Sequence, residues 1–404
     1  MPFNNVGFFT KRRGLGAQGG VAPSPGRGLV ITPTISNNAE TITWTIQSNM
    51  TFQPTLKYQI TNLSNTDFTD GSVSGDITLN PSGGFTITRN LDKLANYSNS
   101  NVIFNLQLIS VESNVLIGQS ANAIVKPATP LAATGGNISL VEGKFTVHTF
   151  TTTGNSNLTI SALGDNPGNL DIRTLIVNGG SAGTSGSSFR QSIFGAVTDY
   201  VVVGGNGGGA GYANESNTKA NAFSVGNIAV RVGTGASNIT IANTSSFNNV
   251  VATGNTVNAG ASTYDPPGPY TRTSVAGGGG RGATANGLVG VANVPSSSSG
   301  GQGGAGYTTD ITGTSVTYGC GGGGAAYGRG GLAGCSSGGN GGSSTSPYNG
   351  SNAVPNTGGG GGGGGPPDLD SIPDNTVVGS SGGFGGSGIV VVRYLTRYRN
   401  MALT

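Results

Sequence analysis

The run Tyr200-Val201-Val202-Val203-Gly204-Gly205-Asn206-Gly207-Gly208-Gly209-Ala210-Gly211-Tyr212 opens a glycine tract whose packing decides the fold. The tract reaches Gly388 and closes into Ile389-Val390-Val391-Val392-Arg393-Tyr394. Between lie AGGGGRG, GGQGGAGY, CGGGGAAYGRGGLAGC and the unbroken glycines Gly358 to Gly365. Glycine loses the most backbone entropy on ordering and brings no side chain to offset it. Two outcomes are open. The tract is a disordered linker, or it packs backbone against backbone, extended like polyproline II at ~3.1 Å per residue. In the second case neighbouring segments must pair their N–H and C=O groups, because buried ones cannot stay unpaired. The β-type runs at both ends and the interspersed Tyr212, Tyr264, Tyr270, Tyr307, Tyr318, Tyr327, Tyr348 and Phe384 favour packing. Flexible linkers hold little besides glycine and serine. No strict G-X-Y period is present, so the tract is not collagen.

Composition points the same way. Of 404 residues only 9% are charged and 34% are hydrophobic with glycine left out, against roughly 25% and, with glycine likewise left out, about 40% in ordinary globular domains. Asn, Thr, Ser and Gly fill the difference, as in extended all-β or fibrous extracellular material rather than a cytosolic enzyme. A net charge of +3 is too small to imply nucleic acid as a partner. No apolar stretch reaches the ~18 residues of a spanning helix, so no membrane insertion is expected. At the N-terminus the charges follow the apolar residues instead of preceding them, unlike a signal peptide. An exterior-type composition without an export signal fits a virus structural protein made in the host cytoplasm and released by lysis in the virion. It counts against a bacterial surface adhesin.

The chain divides into four spans. Residues 1–28 read as an arm, in which Phe3, Phe8 and Phe9 precede Lys11, Arg12 and Arg13 and form a candidate docking peptide. Residues 29–127 alternate with period two in Glu40 to Ile46, Thr55 to Ile60 and Phe85 to Thr88. Two longer strands, Asn101 to Val111 and Val115 to Val125, form a hairpin about Glu112-Ser113-Asn114. This is the pattern of an immunoglobulin-like β-sandwich with Trp44 in its core. Residues 128–137 form a stiff, proline-bearing hinge. Residues 138–404 form a β plus glycine-rich domain with strands at Lys144 to Phe150, Leu158 to Ile160, Ile172 to Val177, Asn227 to Gly233 and Ile239 to Ile241. The basic residues Arg393, Arg397 and Arg399 read as solvated or docking groups.

The stretch ETITWTIQS…TLKYQITN…DFTDGSVSGDITL…FTITRNL…VIFNLQL resembles the Calx-β-like repeats of marine phage tail fibres. Some members bind calcium, but Asp67, Asp70 and Asp76 match that pattern loosely and the site is not carried over. Phe145 to Gly154, Leu175 to Gly180 and Gly385 to Tyr394 resemble, in order, the motifs of a glycine-rich domain common in phage virion proteins. Related phage adhesins pack polyglycine-II segments into a lattice with variable loops at the tip, and the resemblance implies such packing here.

Catalytic chemistry has no foothold in the sequence. No nucleophile elbow, metal-ligand cluster, paired carboxylates or phosphate loop is present. His148 sits in an alternating strand and reads as an exposed or edge residue. No cofactor is expected. Cys320 and Cys335 form a disulfide or remain two thiols. Binding is what remains. Tyr264, Tyr270, Tyr307, Tyr348 and Asn349 stand in loops whose Tyr, Asn, Ser and Gly content gives adaptable contact area. The expectation is a phage fibre or adhesin component that contacts a host surface glycan or outer-membrane protein and joins other virion proteins. The alternative is an accessory capsid-decorating, neck or head fibre. A homo-oligomer, with a trimer favoured, is expected through shared sheet edges.

Overall fold

The computed structural model describes residues 29–37, 39–49, 54–79, 83–94, 100–165, 170–193, 196–237, 242–253, 261–264, 272–293, 295–345 and 347–404. Among them the regular elements are β-strands and short 3-10 turns, with no α-helix. The all-β expectation holds. The chain forms two compact units. One comprises the residues up to Pro130 together with 164–169 and Thr396–Thr404; the other comprises Leu131–Leu163 and Leu170–Leu395.

The first unit is a β-sandwich. Strand Thr41–Ser48 lies between Leu29–Ile35 and Gly84–Asn90, antiparallel to both. Its alternation buries Ile42, Trp44 and Ile46 completely. A second sheet, with Thr55–Ile60 between Ser74–Thr78 and Leu106–Ser110, contributes Leu56, Tyr58, Ile60, Leu106 and Leu108 to the same core. Phe104 meets Trp44 edge to face, with ring centroids 6.3 Å apart.

The two longer strands differ from expectation, because each divides. Leu106–Ser110 and Leu116–Gln119 pair as the expected hairpin, with Asn114 in the left-handed region at φ 52°. Val102–Phe104 pairs instead with Ala123–Pro127 in a third sheet. Both breaks are held by side chains. Asn105 Nδ2 donates to Asn122 Oδ1 at 3.1 Å, and the N–H of Leu106 donates to Ser120 Oγ at 3.0 Å.

Within the expected hinge, residues 128 and 129 are hydrogen-bonded to other residues of the first unit. Ala128 donates its N–H to Tyr398 O, Thr129 donates its N–H to Asp165 Oδ2, and Tyr398 Oη donates to Thr129 O. The following residues already include the strands Ala132–Thr134 and Asn137–Val141. The C-terminal residues also depart from the expected boundary. Arg399–Leu403 pairs with Ala123–Pro127, and Met401 enters the sandwich core. Arg399 is buried, not solvated. It donates to Asp67 Oδ1 at 2.6 Å and to Asp92 O at 2.9 Å.

In the second unit, strand Ile389–Leu395 lies between Phe145–Phe150 and Asp171–Val177. Strands from the three motifs of the glycine-rich resemblance are thus hydrogen-bonded neighbours in one sheet. Asn137–Val141 and Ala213–Lys219 form its edges. His148 lies fully buried in this sheet, contrary to expectation. Its Nδ1 faces Gly135 O at 2.7 Å and its Nε2 faces Tyr394 Oη at 3.0 Å. Those partners set the neutral tautomer: Nδ1–H donates to the carbonyl and Nε2 accepts from the hydroxyl. Burial lowers the imidazole pKa from its ordinary value and pushes the Tyr394 phenol up to about 12. Arg393, also expected in solvent, is buried with its guanidinium 4.0 Å from the centroid of the Phe145 ring.

A further sheet runs Ser262–Tyr264, Arg272–Ala276, Ala196–Val203, Gly186–Ile193, Thr376–Ser380. Glycine segments join it to the sheet just described. Segment 178–185 leads from Asp171–Val177 into Gly186–Ile193, and segment 204–212 leads from Ala196–Val203 into Ala213–Lys219. Segment 381–388 leads from Thr376–Ser380 into Ile389–Leu395. Eight or nine residues at ~3.1 Å each give rods of about 25–28 Å.

Candidate functional site

The rods pack as a lattice with Gly358 to Gly365 inside it. Gly361 and Gly364 donate to Ser181 O and Thr184 O, Gly360 and Gly363 to Cys320 O and Gly323 O, and Gly362 and Gly365 to Ser351 O and Tyr348 O. These bonds measure 2.6–3.0 Å. On the remaining sides, the carbonyls of Gly361 and Gly364 accept from Gly208 and Gly205, and those of Gly360 and Gly363 from Gly339 and Gly342. Gly359 O and Gly362 O accept from Gly386 and Gly383. Each direction recurs every third residue, the period of a polyproline-II-type helix. The segment is hydrogen-bonded on six sides, to rods containing Ser181, Gly208, Cys320, Gly339, Ser351 and Gly383.

Glycine is required because of that closeness. A Cβ added at Gly360, Gly361, Gly362 or Gly363 would meet a neighbouring carbonyl oxygen well inside 3.0 Å. Gly358 and Gly319, at φ 68° and 66°, turn the chain into two of the rods.

Asparagine substitutes for a peptide group at the lattice margin. Asn349 Oδ1 accepts from Ser381 N, and Asn352 Oδ1, three residues on, accepts from Phe384 N. Asn206 Oδ1 likewise accepts from Gly278 N, and Asn340 Oδ1 from Ala333 N. Cys320 and Cys335 form a disulfide, with Cα atoms 5.7 Å apart. It joins two antiparallel rods already paired through Gly331 N to Gly324 O and Gly334 N to Gly321 O.

The site residues expected from sequence do not assemble in one place. Phe3, Phe8, Phe9, Lys11, Arg12, Arg13 and Tyr270 lie outside the described residues, as does the short run Ile239 to Ile241. Tyr264 ends strand Ser262–Tyr264 in the sheet at one end of the rods. Tyr307 lies at the other end, its hydroxyl donating to Glu215 Oε2 at 3.2 Å. Glu215 also pairs with Arg173, which reaches Asp310 at 2.6 Å. Hydrogen bonding to Arg173 holds the Asp310 carboxyl below its ordinary pKa. Tyr348 is 36% exposed. It flanks Gly365, at the end of the rods opposite Tyr307. The acidic residues of the loose calcium likeness have other settings: Asp67 pairs with Arg399, Asp70 with Arg89, and Asp76 is exposed in strand Ser74–Thr78.

One concave site escaped the sequence reading. A cavity of about 410 Å³ opens beside rods 178–185 and 204–212, bordered by Asn178, Ser181, Tyr212, Thr244, Val251 and Thr253. Asn178 fixes one wall, donating from Nδ2 to Ala252 O and accepting at Oδ1 from Ser245 N. Tyr212 is held by Arg281, whose guanidinium lies 5.2 Å from the ring centroid and donates to the hydroxyl at 2.9 Å. In the sequence Tyr212 is one more aromatic interrupting the tract, and only the lattice brings it to Arg281 and Thr244.

No protein-family model matches the chain, and no curated protein matches it significantly.

Proposed function

We propose that this chain is a structural protein of a bacteriophage virion, a fibre or adhesin-type component that contacts the host surface. The observation that carries the reading is the glycine lattice. Its order comes from backbone hydrogen bonds between rods and a disulfide, with few charges to titrate. Such a body suits a passive part that works outside a cell, and the reading assigns it no enzymatic step or cofactor. The arm at residues 1–28 docks onto other virion proteins, the sandwich spaces, and the lattice faces outward. Copies join as a homo-oligomer, with a trimer favoured.

A second reading, an accessory capsid, neck or head fibre without a receptor, has its own support. The Tyr307 hydroxyl and Asn349 Oδ1 are engaged within the chain, by Glu215 and by Ser381 N. The test deletes residues 1–28 and follows incorporation into particles while imaging the intact protein. Loss of incorporation, with the intact protein on the tail and host adsorption dependent on it, is the expected result. Protein studding the capsid or neck, with adsorption unchanged in its absence, overturns the host-contact reading in favour of the second.

A further inference from the structure

The cavity beside Tyr212 has a definite chemistry. At about 410 Å³ it falls within the ~300–1,000 Å³ of small-molecule sites. Among the described residues that line it none carries a charge, which favours a neutral ligand over a phosphate or carboxylate. Its polar side chains are mainly hydroxyls, from Ser181, Thr244, Thr253 and Tyr212. A hydroxyl both donates and accepts, which matches a ligand that is itself a ring of hydroxyls. Val251 and Ala252 supply apolar surface beside them.

Tyr212 supplies the other half. An aromatic face carries partial negative charge and attracts the weakly positive C–H face of a sugar ring. Arg281 fixes the ring before any ligand arrives, so little entropy is lost on binding. The segment that carries Thr244, Val251 and Thr253 is fixed too, through Asn178 and through Ser245 Oγ, which donates to Val177 O at 2.6 Å. We infer that this cavity binds a neutral saccharide ring, stacked on Tyr212 and hydrogen-bonded by Ser181, Thr244 and Thr253. The inference builds on the host-contact reading, since it makes a neutral surface glycan the ligand. It places that contact on the flank of the lattice, not in the tyrosine loops at its ends.

The test uses the full chain with N-acetyl-D-glucosamine, D-galactose and D-glucose at millimolar concentration, read by saturation-transfer NMR. At least one sugar should give transfer to its ring protons. Val251→Trp fills the cavity from a partly exposed position and should abolish the signal at an unchanged melting temperature. Tyr212→Ala should abolish it as well, whereas Tyr212→Phe, which keeps the ring, should retain most of it. Silence from all three sugars, or transfer that survives Val251→Trp, overturns the assignment, as does binding of adenosine in place of every sugar. The two readings fail separately. Particles that need this protein for adsorption but adsorb normally with Val251→Trp would sink the glycan assignment alone. Sugar binding lost in that variant, with adsorption independent of the whole protein, would sink the host-contact reading alone.

Discussion

A methyl group at Gly361 would meet the carbonyl oxygen of Gly383 well inside 3.0 Å. The same residue donates to Ser181 O and accepts from Gly208 N, so relief on one side strains two other rods. Overpacking costs about 1–3 kcal/mol or more. Gly361→Ala should therefore lower the melting temperature by roughly 3–10 °C, at about 2–4 °C per kcal/mol. Gly379→Ala is the control, because its Cβ would stand 3.5 Å from Gly186 O, an ordinary contact. It should shift the melt by no more than about 2 °C. Equal losses in the two variants would show that glycine content, and not rod contact, sets stability. His148 gives a second residue-level prediction. Burial lowers its pKa in the folded chain, so the unfolded chain, near 6.5, takes up the proton first. Stability is thus full above about pH 6.5 and declines as pH falls below it, with a limiting slope of about 1.4 kcal/mol per pH unit for one proton. Melting followed from pH 7.5 to 5.5 should show this slope, and His148→Gln should flatten it. An unaltered profile in the variant would assign the acid sensitivity to other groups.

Strands were legible where a short run carries its own pattern, and illegible where pairing is distant. TITWTIQS at Thr41–Ser48 buries every second residue and reads directly as a half-buried strand. The apolar run Ile389–Leu395 reads as a strand buried on both faces. Asn101 to Val111 keeps its alternation across Asn105, so periodicity alone could not reveal that its halves join different sheets. His148 failed for a related reason: polarity argued for an exposed edge, but Gly135 O and Tyr394 Oη satisfy both ring nitrogens inside the sheet. The Tyr212 cavity depends on residues from separate rods, and nothing local marks it. The disulfide lies between these cases. Its loop was visible in the sequence, whereas its closure depended on two rods lying side by side. In the chain-entropy view a loop of that length adds about 3 kcal/mol. A Cys320→Ala/Cys335→Ala double variant should melt about 6–12 °C lower. It should keep the rod hydrogen bonds, read as slowly exchanging amides of Gly321 and Gly324. Loss of that protection at low temperature would mean that the bond builds the lattice instead of stapling it.

At the scale of the whole molecule, the chain passes between its two compact units four times, after Pro130, Leu163, Asn169 and Leu395. A cut at residue 130 therefore leaves the sandwich without its last strand, whatever the local pattern of 29–127 promises. Three losses coincide in such a fragment. Ala123–Pro127 loses its pairing with Arg399–Leu403, Met401 leaves the core, and Asp67 loses Arg399. The last is the most costly: removing one partner of a buried ion pair typically destabilises by about 3–5 kcal/mol, comparable with the whole ~5–15 kcal/mol that holds a domain folded. Residues 29–130 expressed alone should thus be largely unfolded at 37 °C by circular dichroism and proteolysis. Linking residues 396–404 to the fragment through a flexible spacer should restore a cooperative melt. The same linked fragment with Arg399→Leu separates the terms, because it keeps the strand and Met401 but leaves Asp67 uncompensated. Its melt should fall between those of the bare and the restored fragment. A bare fragment as stable as the linked one would mean that the last strand decorates the sandwich and that the 29–127 boundary suffices for folding.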